Sequence, residues 1–77
     1  MYKRIKNTRI DKDLRQQDVA KIIQCTQQTY SRYEKGINEI PIERIIKLAL
    51  LFNTSIDYLV GLTNETKPYP RNKLDIQ

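Results

Sequence analysis

Apolar residues fall along the chain in short groups at helical rather than alternating spacing. Each group is closed by a glycine, a proline or a polar cluster, which predicts five helices and no strand. A first helix is expected over about residues 2–12, with Ile5, Arg9 and Ile10 on one side and Lys3, Arg4, Lys6 and Lys12 outward. The second covers Gln16 to Ile23, its apolar side made of Val19, Ala20, Ile22 and Ile23. A third runs from Gln27 to Lys35 behind Thr26, a favourable N-cap. Pro41 opens the fourth, which extends to Phe52 and is expected to bury Ile42, Ile45, Ile46, Leu48, Ala49 and Phe52, with Leu51 among the polar residues and Leu50 at the edge. Ser55 caps a short fifth helix, Ile56 to Val60, which Gly61 stops. One domain is thus expected over 1–61. Residues 62–77 hold Pro68, Tyr69 and Pro70 and few apolar side chains, so an extended or disordered arm is expected there.

The third helix carries the functional signal. At about 100° per residue, Gln27, Gln28, Ser31, Arg32 and Lys35 share one arc, while Thr29, Tyr30, Tyr33 and Glu34 take the other side. Such a helix packs by its tyrosines and leaves two amides, a guanidinium, an ammonium and a hydroxyl facing out. Gln pairs with adenine and Arg with guanine in the major groove, which is wide enough to admit a helix. On this helix alone, an ordinary solvated face explains the pattern equally well.

Composition narrows the choice. The 77 residues carry 14 Lys+Arg against 9 Asp+Glu, a net charge of +5, and 39% hydrophobic residues. The excess is concentrated in residues 1–36, where nine Lys/Arg face four Asp/Glu. A polyanionic partner is implied. With no His and one cysteine, Cys25, there is no His/Cys metal cluster, no intrachain disulfide and no Ser-His-Asp or Cys-His pair, so no catalytic residue, metal or cofactor is expected. No apolar run approaches the roughly 18 residues of a membrane span, and no apolar core follows the basic start. A cytoplasmic protein with a reduced thiol is expected.

A short helix, a turn of a few residues and a second helix with outward polar residues at its start is the layout of a helix-turn-helix. The run Leu14-Arg15-Gln16-Gln17-Asp18-Val19-Ala20, followed by Thr26 through Gly36, Pro41, Leu48-Ala49 and Ser55 through Gly61, resembles the phage repressor and Cro (Xre) family over about residues 3–61. The resemblance implies an all-α, five-helix, lambda-repressor-like fold. It also implies that Gln27, Gln28 and Arg32 read bases and that Gln16 and Thr26 bind phosphates; from their place beside these residues, Ser31 is expected at the bases and Arg15, Lys35 and Asn38 at phosphates. Arg9 and Glu34 would form an ion pair joining the first helix to the third.

Four positions depart from the family pattern. Arg15 stands where a Thr, Ser or Asn usually caps the second helix. Gln24 replaces the glycine common in the turn. Cys25 takes a small apolar turn position and is expected to pack rather than sense redox state. Leu50 stands where relatives tend to be polar.

These observations point to a sequence-specific double-stranded DNA-binding regulator, a repressor above an activator, acting as a homodimer on a pseudo-palindromic operator. Leu50, Tyr58, Val60 and Leu62 are the dimer candidates. The main rival is an antitoxin that holds a protein partner with the tail and autoregulates its operator. A protein-interaction module that has lost DNA binding leaves Gln27, Gln28 and Arg32 unexplained. A peripheral membrane protein would show a bulky apolar face beside its basic residues, and none is evident.

Overall fold

A computed structural model describes residues 3–70. Tyr2 of the expected first helix and residues 71–77 of the expected arm lie outside the described residues. Five helices follow in order: α1 (Lys3–Asp11), α2 (Gln16–Ile22), α3 (Gln27–Lys35), α4 (Ile42–Leu51) and α5 (Ile56–Leu59). No strand occurs among the described residues. α2 packs on α3, α4 on α5, and α1 touches both α3 and α5.

One core holds the helices together: Ile5, Val19, Ala20, Ile23, Tyr30, Tyr33, Ile45, Leu48, Ala49, Phe52 and Leu59, with Leu14, Cys25, Ile40, Leu51, Ile56 and Tyr58 packed at its margin. Thr26 caps α3 by accepting from the Thr29 amide at 3.1 Å, and Ser55 caps α5 by accepting from the Tyr58 amide at 3.0 Å. At the start of α4, Pro41 sits one residue outside the helix, in the cap position.

Every helix ends the same way. A residue of positive φ follows each last turn: Asp13, Gln24, Gly36, Asn53 and Gly61. The next amide then reaches back five residues, as in Leu14 to Arg9, Cys25 to Ala20, Ile37 to Arg32, Thr54 to Ala49 and Leu62 to Asp57. This is the Schellman closure, which satisfies carbonyls the helix leaves open. Three of the five left-handed residues carry side chains, Gln24 at φ 64° among them, where glycine would sit without strain.

The buried arcs are narrower than periodicity implied. Ile10, Ile22 and Ile42, expected inside, are exposed. Ile10 points about 140° from Ile5 on the helix, and the inward place in that turn belongs to Arg9. Ile22 flanks the arc centred on Val19, Ala20 and Ile23, and Ile42 lies in a first turn with little packed over it. Leu51, expected among polar residues, is half-buried against the core because it borders Leu48.

Residues 62–70 form no helix, yet they lie on the body. Arg4 stacks over the Tyr58 ring, 4.4 Å from its centroid, and donates to the Tyr58 and Thr63 carbonyls and to Asn64 Oδ1. The Thr54 hydroxyl donates to the Thr66 carbonyl at 2.7 Å, and the Tyr69 hydroxyl to Asp57 Oδ2 at 2.7 Å. No helix among the described residues is long and apolar enough to cross a membrane.

Candidate nucleic-acid interface

α3 is amphipathic in an unusual sense, because its packing side is aromatic. Tyr30 and Tyr33 are buried, and their rings fix the roll of the helix. The opposite side is thereby turned to solvent. Gln27, Gln28, Ser31, Arg32 and Lys35 line one open, shallow groove together with Gln16 from α2 and Ile37 beyond Gly36. Among the described residues, the side chains of Gln27, Gln28, Arg32 and Lys35 have no hydrogen bond or ion pair within the protein. Their donors stand free for a ligand. Ser31 is half-buried at the edge of the same face, and Asn38 follows Ile37 at intermediate exposure.

The orientation of this face is held from below by one carboxylate. Glu34 accepts from Arg9 Nε at 2.6 Å and Nη2 at 3.1 Å, a two-pronged ion pair, and from Gln16 Nε2 at 3.0 Å. The Glu34 side chain is 2% exposed and that of Arg9 is 11% exposed. Arg9 Nη1 also donates to the Leu14 carbonyl at 2.9 Å, so α1, the turn before α2, α2 and α3 meet at one pair of charges. Burial alone would raise the Glu34 carboxyl. The Arg9 guanidinium, helped by the nearby Tyr30 hydroxyl and Gln16 amide, outweighs burial and holds it below the ordinary carboxylate value. Burial, with Glu34 close by, pushes the Tyr30 hydroxyl far above the usual phenol range. That hydroxyl is buried without a partner at hydrogen-bond geometry among the described residues.

The phosphate candidates are not equivalent. Gln16 is anchored through its amide to Glu34, which leaves its second N–H for an outside acceptor. The Thr26 oxygen accepts from Thr29 N and its hydroxyl meets Thr29 Oγ1 at 2.9 Å, so the group is oriented by its capping role. Arg15 occupies the N-cap of α2 in extended backbone, without a side-chain cap. Asp18 replaces it in part, accepting from the Arg15 amide at 3.0 Å and from the Arg15 guanidinium at 3.1 Å through both oxygens. The pair lies at the surface, where Arg15 remains 72% exposed and can turn to a phosphate.

Sequence reasoning turned Lys3 and Lys6 outward as charge for DNA phosphates but did not place them relative to α3. Lys3, Lys6 and Asn7 of α1 line a second concavity with Gln16, Glu34 and Lys35, extending the basic surface sideways from α3. The signal was the outward lysine stripe of α1, whose position relative to α3 depends on tertiary packing. Arg4, basic and adjacent, is drawn away to Tyr58 and residues 63–64. Ile37 is also new. Of the dimer candidates, Leu50, Val60 and Leu62 are exposed, whereas Tyr58 is half-buried beneath Arg4. Gln24 and α4 make a separate contact: Arg44 donates to the Gln24 carbonyl at 3.2 Å and to the Tyr33 hydroxyl at 2.7 Å, and Lys47 to Gln24 Oε1 at 2.7 Å. The turn between α2 and α3 is thereby tied to α4. Cys25, half-buried in that turn, has its thiol pushed up by burial and stays protonated at neutral pH.

Residues 5–59 match the model of the helix-turn-helix family. Among characterised and uncharacterised proteins, the chain is 38% identical over 69 residues to an uncharacterized HTH-type transcriptional regulator of Rickettsia conorii, covering 88% of this chain and 55% of that one. It is 30% identical over 74 residues to the uncharacterized HTH-type transcriptional regulator YobD of Bacillus subtilis, covering 95% and 66%. Against the cryptic phage CTXphi transcriptional repressor RstR of Vibrio cholerae it is 37% identical over 58 residues, covering 75% and 52%. The chain thus spans about half to two thirds of the length of these relatives.

Proposed function

The chain belongs to the helix-turn-helix family, and on that premise we propose that it is a transcriptional repressor that reads double-stranded DNA by laying α3 in the major groove. The observation that carries the reading is the unpartnered donor face of α3, set open by two buried tyrosines and bordered by Gln16 and the α1 lysines. Gln27, Gln28 and Arg32 then meet base edges, with Ser31 beside them. Gln16, Thr26, Arg15, Lys35 and Asn38 bind phosphates on either side and fix the register, and Lys3 and Lys6 add charge along one strand.

Specific binding at an operator of two half-sites about one helical turn apart calls for two copies of α3. A homodimer through the exposed Leu50, Val60 and Leu62 meets that need.

The test is selection of bound fragments from a random duplex pool, followed by sequencing. A recurrent inverted repeat with half-sites about 10–11 base pairs apart supports the proposal. Fragments with no shared motif would refute it.

A further inference from the structure

We propose that Ile37 is a specificity-determining residue that recognises the 5-methyl group of a thymine beside the base pair contacted by Arg32. The inference rests on the DNA-reading role of α3 and goes beyond it by assigning an apolar contact to a residue outside that helix.

Ile37 is 66% exposed, yet it lies in the groove that Gln28, Arg32 and Lys35 also line. Its place is set by backbone rather than by packing. Gly36, at φ 73°, turns the chain at the end of α3, and the Ile37 amide reaches back to the Arg32 carbonyl at 3.0 Å. In this closure an apolar residue at the second position past the helix ordinarily covers an apolar side chain one turn back. The partner position here is Arg32, and the one before it is Ser31, both polar. The equivalent residues after α1, α2 and α4, namely Leu14, Cys25 and Thr54, turn inward onto the body. Ile37 has no such apolar partner at those positions; like Leu62 after α5 it is exposed, but unlike Leu62 it lines the groove that Arg32 lines.

An apolar surface next to a base-reading Arg has one apolar feature to meet in the major groove, the thymine methyl. Desolvating one methyl against Ile gives discrimination of a few-fold, added to what the polar groups supply.

The experiment uses a duplex carrying the selected inverted repeat, with each thymine replaced in turn by deoxyuridine, which lacks only the methyl. Wild type and Ile37→Ala are titrated on each duplex, and on an unselected duplex of equal length. Wild type should lose about threefold to tenfold per half-site at one symmetry-related thymine. Ile37→Ala should lose about as much on the unmodified site and nothing further on that deoxyuridine duplex. Its urea midpoint should match wild type, since the side chain is exposed.

Additive losses at every thymine would overturn the assignment, and so would an equal loss of Ile37→Ala on unselected DNA, which marks sugar-phosphate packing. Gln28→Ala and Arg32→Ala keep the two levels apart. If they relax base preference while no thymine couples to Ile37, only this inference fails. If neither changes preference on any duplex, the reading of α3 fails and takes this inference with it.

Discussion

Replacing Glu34 by Gln keeps the shape of the side chain and removes the charge that organises the interface from beneath. Arg9, with 11% of its side chain exposed, would keep its full charge facing a neutral amide. Breaking a buried ion pair from one side typically costs about 3–5 kcal/mol, and the residual access of water to Arg9 brings this case below that range, to about 2–3 kcal/mol. A chain of this size is stable by roughly 4–12 kcal/mol in all, so a large share is at stake. Urea unfolding followed by helical circular dichroism should show the midpoint falling by about 1–3 M for a slope of roughly 1–2 kcal/mol/M. Acid sharpens the test. The Glu34 carboxyl is held below its ordinary value, so its contribution is complete above about pH 4.5 and is lost as the pH falls through the lower folded value. The gap between wild type and Glu34→Gln must therefore shrink on acidification. A cycle with Arg9→Met completes the argument: the double variant should recover at least 1 kcal/mol relative to the sum of the single losses. A loss below about 0.5 kcal/mol, or a gap that widens in acid, would refute the reasoning.

Gln24→Gly should raise stability by about 0.5–1 kcal/mol, the relief of a left-handed side chain less the extra freedom of the unfolded glycine and the surface bond to Lys47; a destabilised variant would show that the Lys47 bond governs the turn. Tyr30→Phe should change stability by less than about 1 kcal/mol, because the hydroxyl it removes lies near Glu34 but not at hydrogen-bond geometry; a larger destabilisation by calorimetry would show that it is a full hydrogen-bond partner of Glu34. Binding to duplex DNA should weaken steeply with salt, log K falling by about 0.9 per phosphate neutralised, and Arg15→Thr should flatten that slope while raising the urea midpoint. An unchanged slope would remove Arg15 from the phosphate set.

Helix positions were legible from periodicity and caps because both are local. The donor face of α3 was legible for the same reason, since its tyrosines and its glutamines differ by phase alone. Periodicity assigns an angle to each side chain but not a neighbour, and this is why Ile10, Ile22 and Ile42 were expected inside. Arg9 fills the place given to Ile10, and its pairing with Glu34 spans 25 residues of sequence. The fate of Arg4 was beyond any local reading, because its partners lie 54 to 60 residues away. The same holds for Gln16, whose amide answers to a carboxylate on another helix before it answers to a phosphate.

The five identical helix closures have a kinetic consequence. Each joint is made from residues within five positions of one another, so each can form and dissolve without waiting for distant parts of the chain. Helical domains dominated by such local contacts fold in microseconds to milliseconds. Non-glycine residues at three of the joints, Asp13, Gln24 and Asn53, carry a conformational penalty that the closed turn must overcome each time. Relaxation measurements on the protein should therefore find rapid folding whose rate rises when a joint is changed to glycine, in proportion to how early that joint closes.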